Sequence, residues 1–283
     1  MKTLSLNKGA KIASKNKALE VINKGNNLGF QDLYSYLNQL EHIENGILIS
    51  IILPAYNEEK SIKQLLESLP NDKTIEIIVI DDNSTDNSTG EAKKVKHNKN
   101  IKLLKHKINK GYGGAIITGI NHSNGEVVVT MDSDGQHCPQ DILKLVKPIF
   151  EHKTDCTIGS RYLGSNHYDL PIRTRLGEAI IEKFLQTFFS QKIMNNQNGF
   201  RAFSNRLIPI YVNAKHHGFA YATEMLILTL IEGYKIKEIP VKVYEREYGS
   251  SKINLINLLL DLFICFVRYY FRKLRKIKLN KAQ

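Results

Sequence analysis

Tryptophan is absent from this 283-residue sequence, and cysteine is scarce, with three residues. Cys138, Cys156 and Cys265 are widely spaced and odd in number, and no two of them form a CxxC pair. This spacing argues against a disulfide framework and against a cysteine-based zinc site. We therefore expect the protein to work in a reducing compartment, the cytoplasm.

Long apolar runs are also missing. No stretch reaches the roughly 20 apolar residues that a membrane-spanning helix needs, and the N-terminus has no apolar core of the signal-peptide type. The nearest candidate, Ile253–Val267, contains Asp261. It predicts an amphipathic helix that either lies on a membrane surface or packs on the domain. Its apolar residues recur at helical spacing: Leu255, Leu258, Leu259, Leu262, Phe263 and Phe266.

Acidic residues are fewer than basic ones, 28 against 40, and the formal net charge is +12. Seven basic residues and no acid lie between Arg268 and the end of the chain. A basic end of this kind suits anionic lipid headgroups or nucleic acid, and the alternative is a solvated tail. The basic residues are not interleaved with stacking aromatics, so we expect no nucleic-acid partner. The expected location is peripheral, on the cytoplasmic face of a membrane.

From Ile47 onward, short apolar runs alternate with helical segments, and after Arg161 the pattern changes to loops and longer helices. Such runs are typical of a buried parallel sheet with covering helices. The predicted fold is a doubly wound, mostly parallel α/β sheet flanked by helices. The expected strands are Ile47–Leu53, Ile75–Ile80, Ile101–Lys105, Glu126–Met131, Cys156–Gly159 and Lys235–Val243. The expected helices are Phe30–Glu44, Glu58–Leu69, Asp86–Lys96, Gly113–Ser123, Pro139–Phe150, Thr174–Ser190 and Ala222–Ile231. The simplest division is an extension of unknown role over 1–45, one domain over 46–252, and a helix with a basic tail over 253–283.

Two acidic clusters end predicted strands. Asp132 and Asp134 follow an apolar strand, and residues two apart in an extended chain project to the same side. Hard oxygen ligands with few protein donors suit Mg²⁺ or Mn²⁺, with Gln136 as a possible third ligand. The alternative is a solvated or capping turn. Since charges after a buried strand must be solvated, paired or metal-bound, the position favours the metal.

The neighbouring strand ends carry further polar residues. One of Asp81 and Asp82 is expected to cap the following helix, which leaves the other free to accept hydrogen bonds from a base or ribose. The loop after the first predicted strand could cover a flat ligand with Pro54 and Tyr56 and bind it through Glu58. A simple helix-start acid is the alternative there. Three glycines at 111, 113 and 114 suit close approach to a phosphate or only a tight turn.

Seven ordered motifs together resemble the family 2 glycosyltransferases of the GT-A fold. Within that family the likeness is to dolichol-phosphate mannosyltransferases and polyprenyl-phosphate glycosyltransferases. The motifs are Pro-Ala-Tyr-Asn-Glu-Glu, Val-Ile-Asp-Asp-Asn-Ser-Thr-Asp, Asn-Lys-Gly-Tyr-Gly-Gly-Ala, Met-Asp-Ser-Asp-Gly-Gln-His, Gly-Ser-Arg-Tyr, Asn-Gly-Phe-Arg-Ala-Phe and Arg-Glu-Tyr-Gly-Ser-Ser-Lys. They run from about Ile49 to Lys252, most of the chain.

The resemblance implies roles for individual residues. The donor nucleoside would be bound by Pro54, Tyr56, Glu58, Ile80 and Asp82. The metal and diphosphate would be held by Asp132, Ser133, Asp134 and Gln136, and Arg246 with Lys252 would clamp the phosphates. The acceptor phosphate would be bound by Arg161 and by Arg173 or Arg175. Catalytic roles fall to Asp134, Arg161, Arg246 and Lys252.

Two departures bear on the acceptor. Asn195–Asn198 stands where relatives often carry Asp and Thr, and Met225 follows Glu224 where polymerising relatives have an Asp base. A sugar hydroxyl gains from a base, whereas a lipid phosphate is already an anion. The expected reaction is inverting, metal-dependent transfer from GDP-mannose or a UDP-hexose to a polyprenyl phosphate. The alternatives are transfer to a glycan or soluble hydroxyl, with Glu224 as base, or a catalytically silent nucleotide- or membrane-binding module.

Overall fold

A computed structural model describes residues 27–40, 46–96, 99–166, 172–246, 248 and 255–282. Seven strands form one sheet in the order β3-β2-β1-β4-β6-β5-β7. The strands are β1 (Ile49–Ala55), β2 (Ile75–Asp81), β3 (Ile101–Lys105), β4 (Val127–Thr130), β5 (Cys156–Asn166), β6 (Arg201–Ser204) and β7 (Ile236–Val243). All neighbours are parallel except β6, which runs antiparallel to both β4 and β5.

Helices cover both faces of the sheet. They are α1 (Gln31–Leu37), α2 (Ile62–Ser68), α3 (Ser88–Val95), α4 (Gly111–Asn121), α5 (Ile142–Phe150), α6 (Ile172–Phe189), α7 (Ile208–Tyr211), α8 (Tyr221–Ile231) and α9 (Leu255–Ala282). One apolar core unites the sheet with α1, α2, α3 and α5, and a second unites it with α4 and α6 to α9. Since strands such as β1 and β2 are covered on both faces, they are apolar nearly throughout. The predicted doubly wound, mostly parallel α/β sheet is confirmed.

The N-terminal segment contributes to the first core. Phe30, Leu33 and Leu37 are buried there, and α1 packs against α5. Residues 27–40 therefore belong to the packed body, although they precede the first strand. The division of the chain at 45 and 252 stays a prediction.

Two elements lie where loops were predicted, and there the prediction was wrong. The strand β6 is four residues long and begins with Arg201, so neither length nor apolar pattern marks it. The arginine can be buried because its guanidinium donates to the carbonyl oxygens of Asn196, Asn198 and Ala222 at 2.5–2.7 Å. The helix α7 is a single turn. The strand β5 also outruns its predicted end, because its second half pairs with β7 after a register shift.

The C-terminal helix α9 has three faces. Leu262, Cys265 and Tyr269 are buried against the second core. A polar face carries Asp261, Arg268, Arg272 and Arg275. The third face is apolar and exposed: Leu259, Leu260, Phe263, Ile264, Val267, Tyr270, Phe271 and Leu274. Among the described residues, no helix is long and apolar enough to cross a bilayer.

Candidate active site

The loops after β1 and β2 are joined to each other. The main-chain amides of Asn57 and Glu58 donate to the hydroxyls of Ser84 and Ser88, at 2.9 and 2.7 Å. In return, the Asn57 side chain accepts from the amide of Thr85 at 2.8 Å. Asn57 adopts a left-handed conformation, with φ of 58°, which asparagine tolerates better than most residues. The carboxyl ends of these two strands therefore present one connected surface.

Asp81 serves the loop that follows β2. It accepts hydrogen bonds from the amide of Ser84 at 2.7 Å and from the hydroxyl of Thr89 in α3. Burial acts to raise the pKa of Asp81, but these hydrogen bonds and Lys105 outweigh it and lower the pKa. Asp81 thus ties α3 to the sheet through Thr89. The predicted N-capping by one of the pair was wrong, because Asn87 holds the N-cap position.

Asp82 is engaged within the protein. Its Oδ1 accepts from the amide of Lys110 at 2.8 Å and lies 2.6 Å from Nδ1 of His106, and its Oδ2 accepts from the amide of Gly111 at 2.8 Å. The sequence left this carboxylate free for a ligand, whereas the structure uses it to hold the start of α4. The reason is that β3 and α4 bring two amides and an imidazole to the same strand end. Its contact with a nucleoside stays a prediction.

The glycines of α4 admit a neighbouring loop. A Cβ at Gly111 would lie 2.8 Å from the carbonyl oxygen of His217, and one at Gly113 would lie 2.5 Å from Cβ of Tyr221. The amide of Gly114 donates to the His217 carbonyl at 3.0 Å. Close packing by the chain itself therefore explains these glycines, and the amides of residues 110, 111 and 114 already have acceptors.

Asp132 and Asp134 follow β4 as predicted and face different partners. Oδ2 of Asp134 accepts from the Arg246 guanidinium at 2.8 and 3.0 Å, and the same guanidinium lies 3.5 Å from Glu58. Burial and the charge of Asp132 raise the pKa of Asp134, against the effect of Arg246. The predicted clamp residue thus reaches the acidic cluster directly.

Asp132 is the more open of the two carboxylates. About a third of its side chain is exposed, 34%, and its Oδ2 lies 3.1 Å from Nε2 of His137. Burial acts to raise the pKa of Asp132. The hydrogen bond from His137 and the charges of Arg246 and Arg201 outweigh it, and the pKa is lowered. Tyr112 lies beside it, and burial together with Asp132 raises the pKa of that phenol.

These two carboxylates fit a divalent cation. Within the part of the chain that the structure describes, no cluster of three or more His, Cys, Asp or Glu side chains forms a closed metal cage. Mg²⁺ and Mn²⁺ need no such cage, since one or two carboxylates with phosphate and water complete their shells. Burial and the charge of Asp132 both raise the pKa of Asp134, and a cation bound by the two carboxylates would offset both effects.

Other predicted residues have structural partners. The Ser133 hydroxyl donates to the carbonyl of Pro54 at 2.6 Å, and the Gln136 amide donates to the carbonyl of Tyr244 at 3.0 Å. Gln136 thereby ties the loop after β4 to the segment that leads to Arg246. Tyr56 is 36% exposed at this surface, where it can cover a ligand.

Ile80 is fully buried in β2, and its Cδ1 would lie 2.9 Å from a Cβ at Gly119 of α4. Its side chain therefore packs under α4. A contact between Ile80 and the nucleoside, predicted from the resemblance, stays a prediction.

The predicted acceptor residues lie on β5 and α6. Nε of Arg161 donates to Asn195 at 3.0 Å, and its guanidinium lies 3.8 Å from Glu178. The guanidinium of Arg175 lies 4.4 Å from the ring centre of Tyr162. Arg161 is therefore held in place by Asn195, one of the residues that depart from the family pattern. The side chain of Arg173 and all of Lys252 lie outside the described residues.

Glu224 does not have the environment of a base. It is fully buried and accepts from the amides of Lys215 and His216 at 2.7 and 2.8 Å, from the His216 ring and from the Tyr269 hydroxyl. Burial acts to raise the pKa of Glu224, but these hydrogen bonds outweigh it and lower the pKa. Met225 beside it is buried. A saturated carboxylate with a lowered pKa is poorly suited to take a proton from an acceptor.

Comparison with known proteins decides the family. The protein-family model described as glycosyl transferase family 2 matches residues 50–215 of this chain. The chain belongs to glycosyl transferase family 2. That span of family 2 sequence contains both acidic clusters, the glycine-rich start of α4 and Arg161, while Glu224 and Arg246 lie beyond it.

Two archaeal relatives extend the likeness over most of the chain. One is an uncharacterised protein of Methanocaldococcus jannaschii, 32% identical over 223 residues, which cover 77% of this chain and 88% of that protein. The other is the UDP-N-acetylglucosamine–dolichyl-phosphate N-acetylglucosaminyltransferase of Methanococcus voltae, 31% identical over 225 residues, 72% of this chain and 89% of that enzyme.

Solved structures confirm the GT-A fold of this family 2 chain. Glucosyl-3-phosphoglycerate synthase from Mycobacterium tuberculosis, in complex with Mg²⁺ and UDP, matches with a TM-score of 0.59 at 19% identity, over 81% of this chain and 79% of that one. The same enzyme with Mn²⁺, UDP and phosphoglyceric acid matches with a TM-score of 0.59 at 18% identity, over 81% and 78%. At this identity the likeness shows the fold alone.

Proposed function

We propose that this glycosyltransferase moves a sugar from a nucleotide-sugar donor, GDP-mannose or a UDP-activated hexose, to a polyprenyl phosphate at a membrane surface, with inversion. The observation that carries the proposal is the state of Glu224, which is buried, saturated with hydrogen bonds and lowered in pKa. A hydroxyl acceptor needs a base, whereas a phosphate acceptor needs only orientation and charge screening. The dolichyl-phosphate acceptor named for the Methanococcus voltae relative supports the same class.

The donor is expected at the joined strand ends. Tyr56 and Glu58 would meet the nucleoside, and Arg246 would face the diphosphate, since its guanidinium already spans Glu58 and Asp134. Asp132 and Asp134, with Gln136 beside them, would hold Mg²⁺ or Mn²⁺. When bound, the cation supplies positive charge that stabilises the leaving diphosphate. Arg246 adds a bidentate donor of the kind that suits phosphate oxygens.

The acceptor is expected to meet the cations of β5 and α6. Arg161 is fixed by Asn195 and Glu178, and Arg175 is fixed over the Tyr162 ring. Guanidinium groups held in this way lose little freedom when they bind a phosphate. The proposed acceptor-phosphate site therefore consists of Arg161 with either Arg175 or Arg173.

The membrane contact is proposed for the exposed apolar face of α9. Phe263 and Ile264 are 67% and 50% exposed there, and the arginine face runs beside them. Phe188 of α6 meets the Tyr270 ring edge-on at 5.3 Å, so the C-terminal end of α6 borders this surface. An apolar stripe flanked by cations is the pattern of a helix lying in an anionic lipid interface. The three buried cysteines form no disulfide, which fits the cytoplasmic side.

Turnover measurements test the reaction. The purified chain, assayed with Mn²⁺ and a panel of nucleotide sugars, is expected to glycosylate polyprenyl phosphate and to leave free sugars unmodified. Asp134→Ala should lower turnover by about 10²–10³-fold, as expected for loss of transition-state charge stabilisation. Asp32→Ala, the same change on the exposed side of α1, is the control. Turnover confined to free sugars, or an Asp134→Ala variant as active as the control, would refute the proposal.

Vesicle binding tests the surface separately. Phe263→Glu should abolish co-sedimentation with vesicles of anionic phospholipid, while Ile108→Glu should not. Ile108 is as exposed as Phe263, at 68%, but lies on the loop after β3. Equal binding by the two variants would show that α9 does not contact the lipid.

A further inference from the structure

Gly199 lies where the carboxylate of Asp132 needs room. A Cβ at Gly199 would stand 2.2 and 2.5 Å from the two carboxylate oxygens and 2.6 Å from Cγ of Asp132. Real Cβ atoms do not approach other atoms so closely, and Gly199 has no positive φ that would otherwise require glycine. The glycine is therefore needed for the space that it leaves, and that space is occupied by Asp132.

The segment around Gly199 cannot easily move away. The Thr130 hydroxyl donates to the carbonyl of Gly199 at 2.7 Å, and Thr130 pairs with Arg201 across β4 and β6. The buried Arg201 guanidinium anchors the same segment through the carbonyl of Asn198 at 2.7 Å. A side chain at 199 would consequently displace Asp132 and not the backbone.

His137 completes the surroundings of Asp132. Its Nε2 lies 3.1 Å from Oδ2 of Asp132, its side chain is 5% exposed, and its ring packs on Phe200 with centroids 5.2 Å apart. Nδ1 of His137 is buried and has no hydrogen-bond partner among the described residues. A hydrogen on Nδ1 would have no acceptor there. In the neutral ring the hydrogen is therefore on Nε2, which donates a hydrogen bond to Asp132.

We propose that Gly199 and His137 are positioning residues for Asp132. Gly199 provides the space, and His137 the hydrogen bond, that hold the carboxylate in its observed orientation, from which it would share a divalent cation with Asp134. This inference rests on the proposed function, which supplies the divalent cation at Asp132 and Asp134. It assigns Gly199 and His137 a role through Asp132. Metal ligands are commonly oriented by hydrogen-bonded neighbours, and here the ligand would be a carboxylate.

A double-mutant cycle tests the contact without metal. Gly199→Ala is expected to lower the melting temperature of the full chain in EDTA, whereas the same change in an Asp132→Ala background should cost little, because the clashing atoms are gone. Gly177→Ala is the control, since no atom in the described part of the chain lies within 4 Å of a Cβ there. Equal effects of Gly199→Ala in the two backgrounds would overturn the packing argument.

Mn²⁺ binding tests the positioning role. With UDP present, the free Mn²⁺ signal in electron paramagnetic resonance gives the dissociation constant. Gly199→Ala and His137→Phe should each weaken binding by about 10–100-fold, the usual cost of losing an orienting neighbour. His137→Gln, which can place an amide donor near the same point, should recover most of the affinity.

The outcomes separate the two proposals. Wild-type affinity in both Gly199→Ala and His137→Phe would overturn the inference and leave the proposed function standing. A wild-type chain that binds no Mn²⁺ with UDP present would overturn the proposed metal site and this inference with it, while the double-mutant cycle would still report whether Gly199 and Asp132 are in contact.

Discussion

Replacing Tyr269 with phenylalanine should destabilise the protein measurably. The Tyr269 hydroxyl, on the buried face of α9, donates to Glu224 at the start of α8. Glu224 is fully buried, so no water can replace the lost donor without a local opening. The phenyl ring itself would still fill the space.

The magnitude follows from the charge on the acceptor. Hydrogen bonds to charged groups contribute about 1.5–3 kcal/mol, more than neutral ones. Glu224 keeps three other donors, the amides of Lys215 and His216 and the His216 ring, which argues against a larger loss. For a domain of this size, 1 kcal/mol corresponds to roughly 2–4 °C in melting temperature, so the expected decrease is about 3–12 °C.

Urea and thermal unfolding followed by circular dichroism give the measurement. Tyr270→Phe is the matched control, because Tyr270 is the next residue, is 37% exposed and sits on the apolar face of α9. The control should change the free energy of unfolding by less than about 0.5 kcal/mol. If the two variants unfold alike, the hydrogen bond to Glu224 does not stabilise the fold.

Glu224 also predicts how the free energy of unfolding depends on pH. The folded state lowers the pKa of Glu224, so its contribution to stability is present above the ordinary pKa of a glutamic acid and is lost as the pH falls through the lowered value. The Glu224→Gln variant lacks this titration. Its free energy of unfolding should therefore fall less steeply than that of the wild type below about pH 4.5, the region where an unperturbed glutamate titrates. Parallel curves would contradict the assignment.

Three further results are expected. Lys99→Ala should lower the free energy of unfolding by about 1–3 kcal/mol in urea titrations, because the Lys99 ammonium donates to three carbonyl oxygens at the end of α2. Gly119→Ala should destabilise by about 1–3 kcal/mol, since its Cβ would lie 2.4 Å from Ile52 and 2.9 Å from Ile80, whereas Gly177→Ala in open space should stabilise by about 0.5–1 kcal/mol. Treatment with EDTA should abolish turnover and added Mn²⁺ should restore it, and full activity in EDTA would exclude the metal.

Much of the sheet could be predicted because its strands are buried on both faces. The strand Ile101–Lys105 has the predicted bounds, and the other predicted strands of the first half differ by at most two residues at either end. The strand β6 could not be predicted in this way. Burial of Arg201 depends on three carbonyl groups that only the folded chain brings together.

The site shows the same division. Asp132, Asp134 and Arg246 could be named from the sequence because charged residues beside apolar strands or in ordered motifs are conspicuous. Gly199 and His137 lie inside two of the ordered motifs but could not be given a role, since neither residue type indicates a contact with Asp132 until the distances are known. One of Asp81 and Asp82 was expected to be free, because the partners of Asp82, at residues 106, 110 and 111, are distant in sequence.

The joined loops after β1 and β2 have a consequence for engineering. Asn57, Ser84 and Ser88 link them through main-chain hydrogen bonds, and Glu59 and Asp86 add two more, at 3.1 Å each, with the amides of Asn87 and Glu59. Substitutions in one loop will therefore shift the other, and their effects will not add. A library intended to alter the base selectivity of the proposed donor site should vary residues 57–59 and 84–88 jointly, because a change in one loop alters the hydrogen-bond partners of the other.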